Sequence, residues 1–242
     1  MESEEKMKIA NFNIGEGSCF VIAEIGNNHN GDFKRAIKMI DLAIEMGADC
    51  VKFQMRHLDK VYRQKSLNKS GEDLGTEYII DLLKRFEFSV DKHKKISEYC
   101  NSKGVLYMCT PWDESSIKIL ESFGVKAYKV ASADLTNLPL LDTLSKTGKP
   151  LIISTGMSRV DEVIEVKEFL EKRNVEFAFL HCNSTYPAPF QDINLNWLKS
   201  LRNIHPLVGY SGHERGTAVS LASLAFGACI ICLLYTSDAA DE

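Results

Sequence analysis

Short apolar runs alternate with amphipathic stretches along the whole chain, and each run ends in one or two polar residues. The runs are Phe20 to Ala23 into Glu24, Cys50-Val51 into Lys52, and Val105 to Cys109 into Thr110. Next come Ala127-Tyr128 into Lys129 and Ser132, Leu151 to Ile153 into Ser154 and Thr155, and Phe177 to Leu180 into His181 and Asn183. The last two are Leu207 to Tyr210 into Ser211 and His213, and Ala228 to Ile231. Strand and helix signals in alternation predict an α/β fold with a parallel sheet covered by helices. Eight such units are what a (β/α)8 TIM barrel requires, and that fold gathers its chemistry at the C-terminal strand ends. The polar residues therefore stand where a barrel enzyme would carry its site.

Length and composition agree with one barrel. At 242 residues the chain approaches the roughly 250 typical of that fold. A hydrophobic fraction of 45% supports a sizeable core, and 26% charged residues supply the surface. A net charge of −4 speaks against nonspecific nucleic-acid binding, which favours a basic face. No apolar run nears the roughly 20 residues of a membrane span, and the charged Met1–Lys8 leads into no signal-peptide core. Seven cysteines, an odd number set mostly inside predicted strands or helices, read as buried free thiols in a reducing cytoplasm.

Three segments break the alternation. Residues 1–19 precede the first barrel strand, with Asn13 to Gly17 expected as the turn of a small hairpin capping the barrel bottom. Residues about 56–76 are polar and aperiodic, which predicts a long loop on the catalytic face. The stretch 232–242, Cys-Leu-Leu-Tyr-Thr-Ser-Asp-Ala-Ala-Asp-Glu, reads like a translated sequencing adapter. It is expected to be non-native, leaving 20–231 as an incomplete barrel truncated at the eighth strand.

Candidate chemistry follows from burial. Glu24 leaves an apolar strand into Gly26-Asn27-Asn28-His29-Asn30-Gly31-Asp32, and a carboxylate placed there is costly unless it binds something. Asn28 and Asn30 fit either a site or a hydrogen-bonded turn with Asp32 as helix cap. Lys52 and Lys129, each flanked by apolar residues, need an anionic partner: a ligand phosphate or carboxylate, or internally Glu24 or Asp134. Thr110, Ser132, Ser154 and Ser211 add neutral donors suited to phosphate oxygens. His213, between glycines at a strand end, can ligate a metal or move a proton. His181 reads as a core histidine, and His57, His93 and His205 as surface residues.

The strings AEIGNNHNGD (23–32), KFQ (52–54), TPWD (110–113), YKVASAD (128–134), KPLIISTGM (149–157), LHCNSTYPAP (180–189) and GYSGHERG (209–216) closely resemble the sialic acid synthase family. Legionaminic, pseudaminic and spore-coat polysaccharide synthases share these motifs, and the resemblance covers about 10–231. It implies condensation of phosphoenolpyruvate with an N-acetylhexosamine aldehyde, and a homodimer at full length. It implies Glu24 as the catalytic group beside the sugar carbonyl, with Tyr186 near the acyl sugar. Lys52, Thr110, Lys129, Ser132, Ser154, Asn183 and Ser211 would line the phosphoenolpyruvate site. His213 would be one of two histidines holding Mn2+ or Mg2+. The family's acidic residue, basic residue and second histidine have no counterpart after Ile231, nor has its C-terminal antifreeze-like domain. The resemblance therefore implies an inactive fragment of an active parent. A Schiff-base aldolase with Lys129 as nucleophile is the competing barrel chemistry. A synthase for sugar phosphates would want a second basic cluster, and a non-catalytic module would not bury charges at strand ends.

Overall fold

The computed structural model describes residues 6–63 and 80–234. A hairpin of β1 (Met7–Ile9) and β2 (Phe12–Ile14) precedes β3 (Phe20–Gly26), β4 (Cys50–Met55), β5 (Leu106–Pro111) and β6 (Tyr128–Val130). Then follow β7 (Leu151–Ser154), β8 (Phe177–Cys182), β9 (Val208–Gly212) and β10 (Ile230–Leu234). Strands β3 to β10 form a closed barrel in the order β10-β3-β4-β5-β6-β7-β8-β9, as the alternation predicts. Each of the eight apolar runs became one of these strands. No helix among the described residues is long and apolar enough to cross a membrane.

Contacts divide the chain into two compact units: Met1–Ala23 with Lys126–Leu234, and Glu24–Val125. In the first, β1 and β2 pair antiparallel with Met7 opposite Ile14. The hairpin turn falls at Ala10, whose φ is 51°, and not at 13–17. Asn13 and Ile14 belong to β2, because Met7, Ile9 and Ile14 must all face inward and only this register allows it. Phe12 meets Phe20, the first residue of β3, edge-on at 5.1 Å.

β8 is buried over its full length, as expected for a strand covered on both faces. It pairs in parallel with β7 and β9. β10 continues past Ile231, setting Cys232 opposite Ser211 and Leu233 opposite Gly212. Residues 235–242 and 64–79, which hold the rest of the predicted tail and most of the predicted long loop, lie outside the described residues. All seven cysteines are free and five of them buried.

In the second unit β4 pairs with β5, Lys52 opposite Met108 and Gln54 opposite Thr110. The strand's period of two sends Lys52 and Gln54 to one face and Phe53 to the other. Phe53 stacks with Tyr107 at 5.9 Å and approaches His29 at 5.9 Å. His29 stacks on Phe88 at 3.9 Å, accepts the Gly31 N–H at Nδ1 (3.0 Å), and bonds back to the Gly26 backbone. It thus pins the 26–31 turn from beneath. Asp32 caps the helix Phe33–Glu45, accepting from the N–H groups of Lys34 and Arg35, as its place in the motif predicts.

His93 and His205 are buried, contrary to the surface expectation. His93 meets the Tyr107 hydroxyl at 3.0 Å, and His205 bonds the Phe177 carbonyl at 2.8 Å while stacking on that ring. Burial, with Lys92 nearby, pushes the His29 pKa down to about 4, and burial with His29 nearby pushes His93 to about 3.

Two predictions follow from this packing. Gly209 lies so close to β10 and β8 that a Cβ would stand 2.5 Å from Leu180 Cδ2 and 2.8 Å from Ile230 Cβ. Gly209→Ala is therefore expected to lower stability by about 1–3 kcal/mol in urea unfolding, through overpacking. The histidine prediction concerns acid. Folded pKa values near 4 and 3 lie below the ordinary 6.5, so the unfolded chain takes up protons first as pH falls. Each histidine leaves stability untouched above about pH 6.5 and erodes it below, by at most about 1.4 kcal/mol per pH unit, until its folded pKa is reached. Unfolding midpoints at pH 7, 6 and 5 should fall accordingly, and His29→Gln should flatten the slope.

Candidate active site

The second unit places Glu24, Lys52 and Thr110 together. Glu24 sits near the end of β3, about 9% exposed, with Oε2 2.5 Å from Lys52 Nζ. Lys52 Nζ also donates to Thr110 Oγ1 at 2.9 Å, across the β4–β5 pair. The internal ion pair weighed from the sequence is therefore formed at Lys52. Gly26 makes room for it: with φ at +52°, a Cβ there would stand 2.7 Å from Glu24 Oε1 and 3.4 Å from Gln54 Nε2. Only glycine combines that backbone conformation with that clearance.

Further along β4's face lie groups the sequence reading passed over. Arg56 is buried, donates to Gln54 Oε1, and lies 4.5 Å over the Trp112 ring. The alternation Lys52, Gln54, Arg56 is the signal that could have found them. His57, expected on the surface, is only partly exposed. Its backbone N–H donates to Asp113 Oδ2 at 2.8 Å, and its Nδ1 lies 3.3 Å from Oδ1. Asp113 also caps the helix Glu114–Phe123 through the Ser116 N–H at 2.9 Å.

The first unit holds the other cation. Lys129, on β6 and 4% exposed, donates to Ser154 Oγ at 2.5 Å and to the Val130 carbonyl at 2.7 Å. Among the described residues no carboxylate pairs with it; Asp134, the alternative partner, instead accepts from Asn137 Nδ2 at 3.0 Å. Burial pushes the Lys129 pKa down, with the Cys232 and Cys182 thiols acting the other way.

Ser132 lies in a short 3-10 turn after β6 rather than in the strand. Its Oγ accepts the Gly156 N–H at 3.2 Å and lies 3.1 Å from Cys182 Sγ. A Cβ at Gly156 would fall 2.5 Å from that sulfur and 2.8 Å from Ser184 Oγ, so the glycine lets these loops meet. Ser211 is buried on β9, opposite Cys182. The Asn183 side chain builds its own loop, accepting the Thr185 N–H at 2.9 Å and donating to the Asp192 carbonyl at 3.4 Å. His181 is a core histidine as expected, bonding the Ile193 carbonyl at 2.6 Å.

His213 and Tyr186 stack at 4.1 Å, with the tyrosine hydroxyl 3.1 Å from Nε2. His213 Nδ1 donates to the Asn183 carbonyl at 2.5 Å, which leaves the lone pair on Nε2. That tautomer suits a metal ligand. One nitrogen is not a donor set, however: among the described residues no three His, Cys, Asp or Glu side chains group to hold an ion. The described residues thus do not fit a metal centre, and no chemistry is derived through one. Glu214, which the sequence reading also missed, is buried beside His213 and accepts from Tyr210 Oη at 2.8 Å. Burial and that bond push the Tyr210 pKa up.

A sequence profile described as the NeuB family matches residues 39–242. The chain is 36% identical over 229 residues to N-acetylneuraminate-9-phosphate synthase of Homo sapiens, covering 93% of this chain and 64% of that protein. It is 39% identical over 232 residues to N,N'-diacetyllegionaminic acid synthase of Legionella pneumophila, covering 91% and 65%. The crystal structure of N-acetylneuraminic acid synthetase from Leptospira borgpetersenii, in complex with citrate, superposes with a TM-score of 0.88 at 31% identity. That match covers 97% of this chain and 79% of the other. The chain thus spans about two thirds of the length of these curated relatives, and it belongs to the NeuB family.

Proposed function

We propose that the whole protein condenses phosphoenolpyruvate with the open-chain aldehyde of an N-acetylhexosamine, N-acetylmannosamine-like, giving a nonulosonic (sialic-type) acid and phosphate. The observation that carries this reading is Lys129, a buried ammonium held by a hydroxyl and a carbonyl, with no carboxylate paired to it among the described residues. Burying such a charge is costly, and an anionic ligand is what offsets the cost. The names of the relatives supply the sialic- and legionaminic-type products, and the Leptospira synthetase was crystallised with citrate, itself a carboxylate anion.

In this reading C3 of phosphoenolpyruvate attacks the aldehyde carbon, leaving an oxocarbenium-like centre at C2. Water adds there, and the tetrahedral intermediate expels phosphate with C–O cleavage. Lys129, with Ser154 on its Nζ, holds the anion, and Ser132, fixed by the Gly156 amide, adds a hydroxyl donor. These groups act by position and electrostatics. Lys52, Thr110, Ser211 and Asn183 belong to the same phosphoenolpyruvate assignment, and Tyr186 to the acyl sugar. Glu24 orients the aldehyde or accepts a proton. The same reading makes the full-length protein a cytoplasmic homodimeric enzyme acting on small molecules.

A Schiff-base aldolase has one specific observation in its favour, the lowered pKa of Lys129, since a neutral amine is the nucleophile there. Borohydride trapping with pyruvate separates the two: the synthase reading expects no covalent adduct on Lys129.

The two lysines should answer to mutation with opposite signs. Lys129→Ala removes a buried charge that has no carboxylate partner, so its melting temperature is expected to hold or rise. Its affinity for phosphoenolpyruvate by calorimetry should fall at least about tenfold, as a charge-assisted contact is lost. Lys52→Ala strands Glu24 instead, and is expected to cost about 3 kcal/mol or more in stability. Unchanged phosphoenolpyruvate affinity in Lys129→Ala would remove the anion-site assignment.

A further inference from the structure

We propose that His57, oriented by Asp113, contacts the uncharged, hydroxylated substrate, the hexosamine, from a cavity within the second unit. The inference rests on the sugar reading above. The cavity is about 290 Å3 and is lined by Arg56, His57, Lys84, Glu87, Phe88 and Ser89, among others. That volume is close to the lower end of small-molecule sites.

His57 enters it in a fixed tautomer. Its backbone N–H and Nδ1 both face the Asp113 carboxylate, at 2.8 Å and 3.3 Å, and Nδ1 also lies 3.1 Å from Ser115 Oγ. Asp113 is half-buried, which would raise its pKa, yet hydrogen bonds from Ser115, Ser116 and the His57 backbone hold its carboxyl below the usual range. An ionised Asp113 draws the proton to Nδ1, which leaves the Nε2 lone pair for the cavity. A sugar hydroxyl can donate to that nitrogen.

The lining carries charges of both signs. Arg56 and Lys84 stand against Glu87, and both cations have partners within the protein. Arg56 donates to Gln54 and lies over Trp112. The cavity also continues the β4 face that carries Lys52 and Gln54. Gln54, which accepts from Arg56, and Glu24 both border the space that Gly26 leaves open, so the cavity's Arg56 lies one residue further along the face that reaches the carboxylate assigned to the aldehyde. A merely structural His57 would need only its bonds to Asp113.

The test uses the full-length protein with 15N-labelled histidine, titrated separately with N-acetylmannosamine and with phosphoenolpyruvate. N-acetylmannosamine is expected to move the His57 Nε2 resonance saturably, and phosphoenolpyruvate to leave it in place. His57→Asn keeps a donor toward Asp113 but loses the cavity nitrogen. It should weaken N-acetylmannosamine at least tenfold, with phosphoenolpyruvate affinity and the unfolding midpoint held. His57→Gln, which returns a polar group near Nε2, should recover part of the loss. A His57 resonance that N-acetylmannosamine leaves unmoved overturns the inference, as does full affinity in His57→Asn. Tighter binding of the 6-phosphate ester overturns the uncharged class. Failure of phosphoenolpyruvate to bind the full-length protein overturns the synthase reading itself, whereas phosphoenolpyruvate binding beside a silent His57 overturns the contact alone.

Discussion

The constraint on which the site depends is the cost of burying an ammonium group in a strand covered on both faces. β4 and β6 each carry one, and each is about 5% exposed or less. The chain meets the cost in two ways. At Lys52 a carboxylate one strand away closes a buried pair, with Thr110 taking a further proton. At Lys129 the partners are a serine hydroxyl and the next residue's carbonyl, dipoles that solvate the charge without cancelling it. The first arrangement is self-sufficient. The second leaves the charge solvated but not neutralised among the described residues.

Close approach is the second condition, and glycines set it. Gly26 gives clearance between Glu24 and Gln54, and Gly156 lets Cys182, Ser184 and Ser132 share one small space. Neither position would accept a methyl group without moving a functional side chain. The pinning of the 26–31 turn by His29 works to the same end. A neutral imidazole accepting the Gly31 N–H and packed on Phe88 holds the turn by hydrogen bonds and stacking, with no further charge buried near Glu24.

Much of this was legible in the sequence, because its cause is local. Every barrel strand could be read from an apolar run, and the burial of Glu24, Lys52 and Lys129 from their apolar neighbours. The helix cap at Asp32 could be read from the turn before it. What was not legible depends on partners far along the chain. His93 lies in a helix whose sequence, Val90 to Lys103, is so polar that its buried stripe is faint, and only Tyr107 and Phe88 reveal which face is inside. The hairpin turn was misplaced because two glycines at 15 and 17 outweighed Ala10, which adopts a positive φ without being glycine. Glu214 is buried against Tyr210 from its own loop and strand, a pairing that period and composition do not show, whereas Arg56 continues the alternation of Lys52 and Gln54 and could have been read from it. His57 carried no periodic signal at all; its partner stands 56 residues away.

The difference between the two lysines also orders their roles. An anion approaching Lys52 meets Glu24 already in place, so the attraction to one charge is set against repulsion from the other. At about 4 Å and an effective dielectric near 20, a unit-charge interaction is about 4 kcal/mol, so the neighbouring carboxylate cancels most of what the ammonium offers. Among the described residues no carboxylate pairs with Lys129. Its charge is met by the Val130 carbonyl and by the Ser154 hydroxyl, which can donate as readily as accept. Charge is thus balanced within the Glu24–Lys52 pair and only solvated at Lys129, so the two buried ammonium groups differ in what they leave for a ligand to supply. The relation of Gln54 and Arg56 to that pair points the same way: they extend a hydrogen-bonding face, not a cationic one.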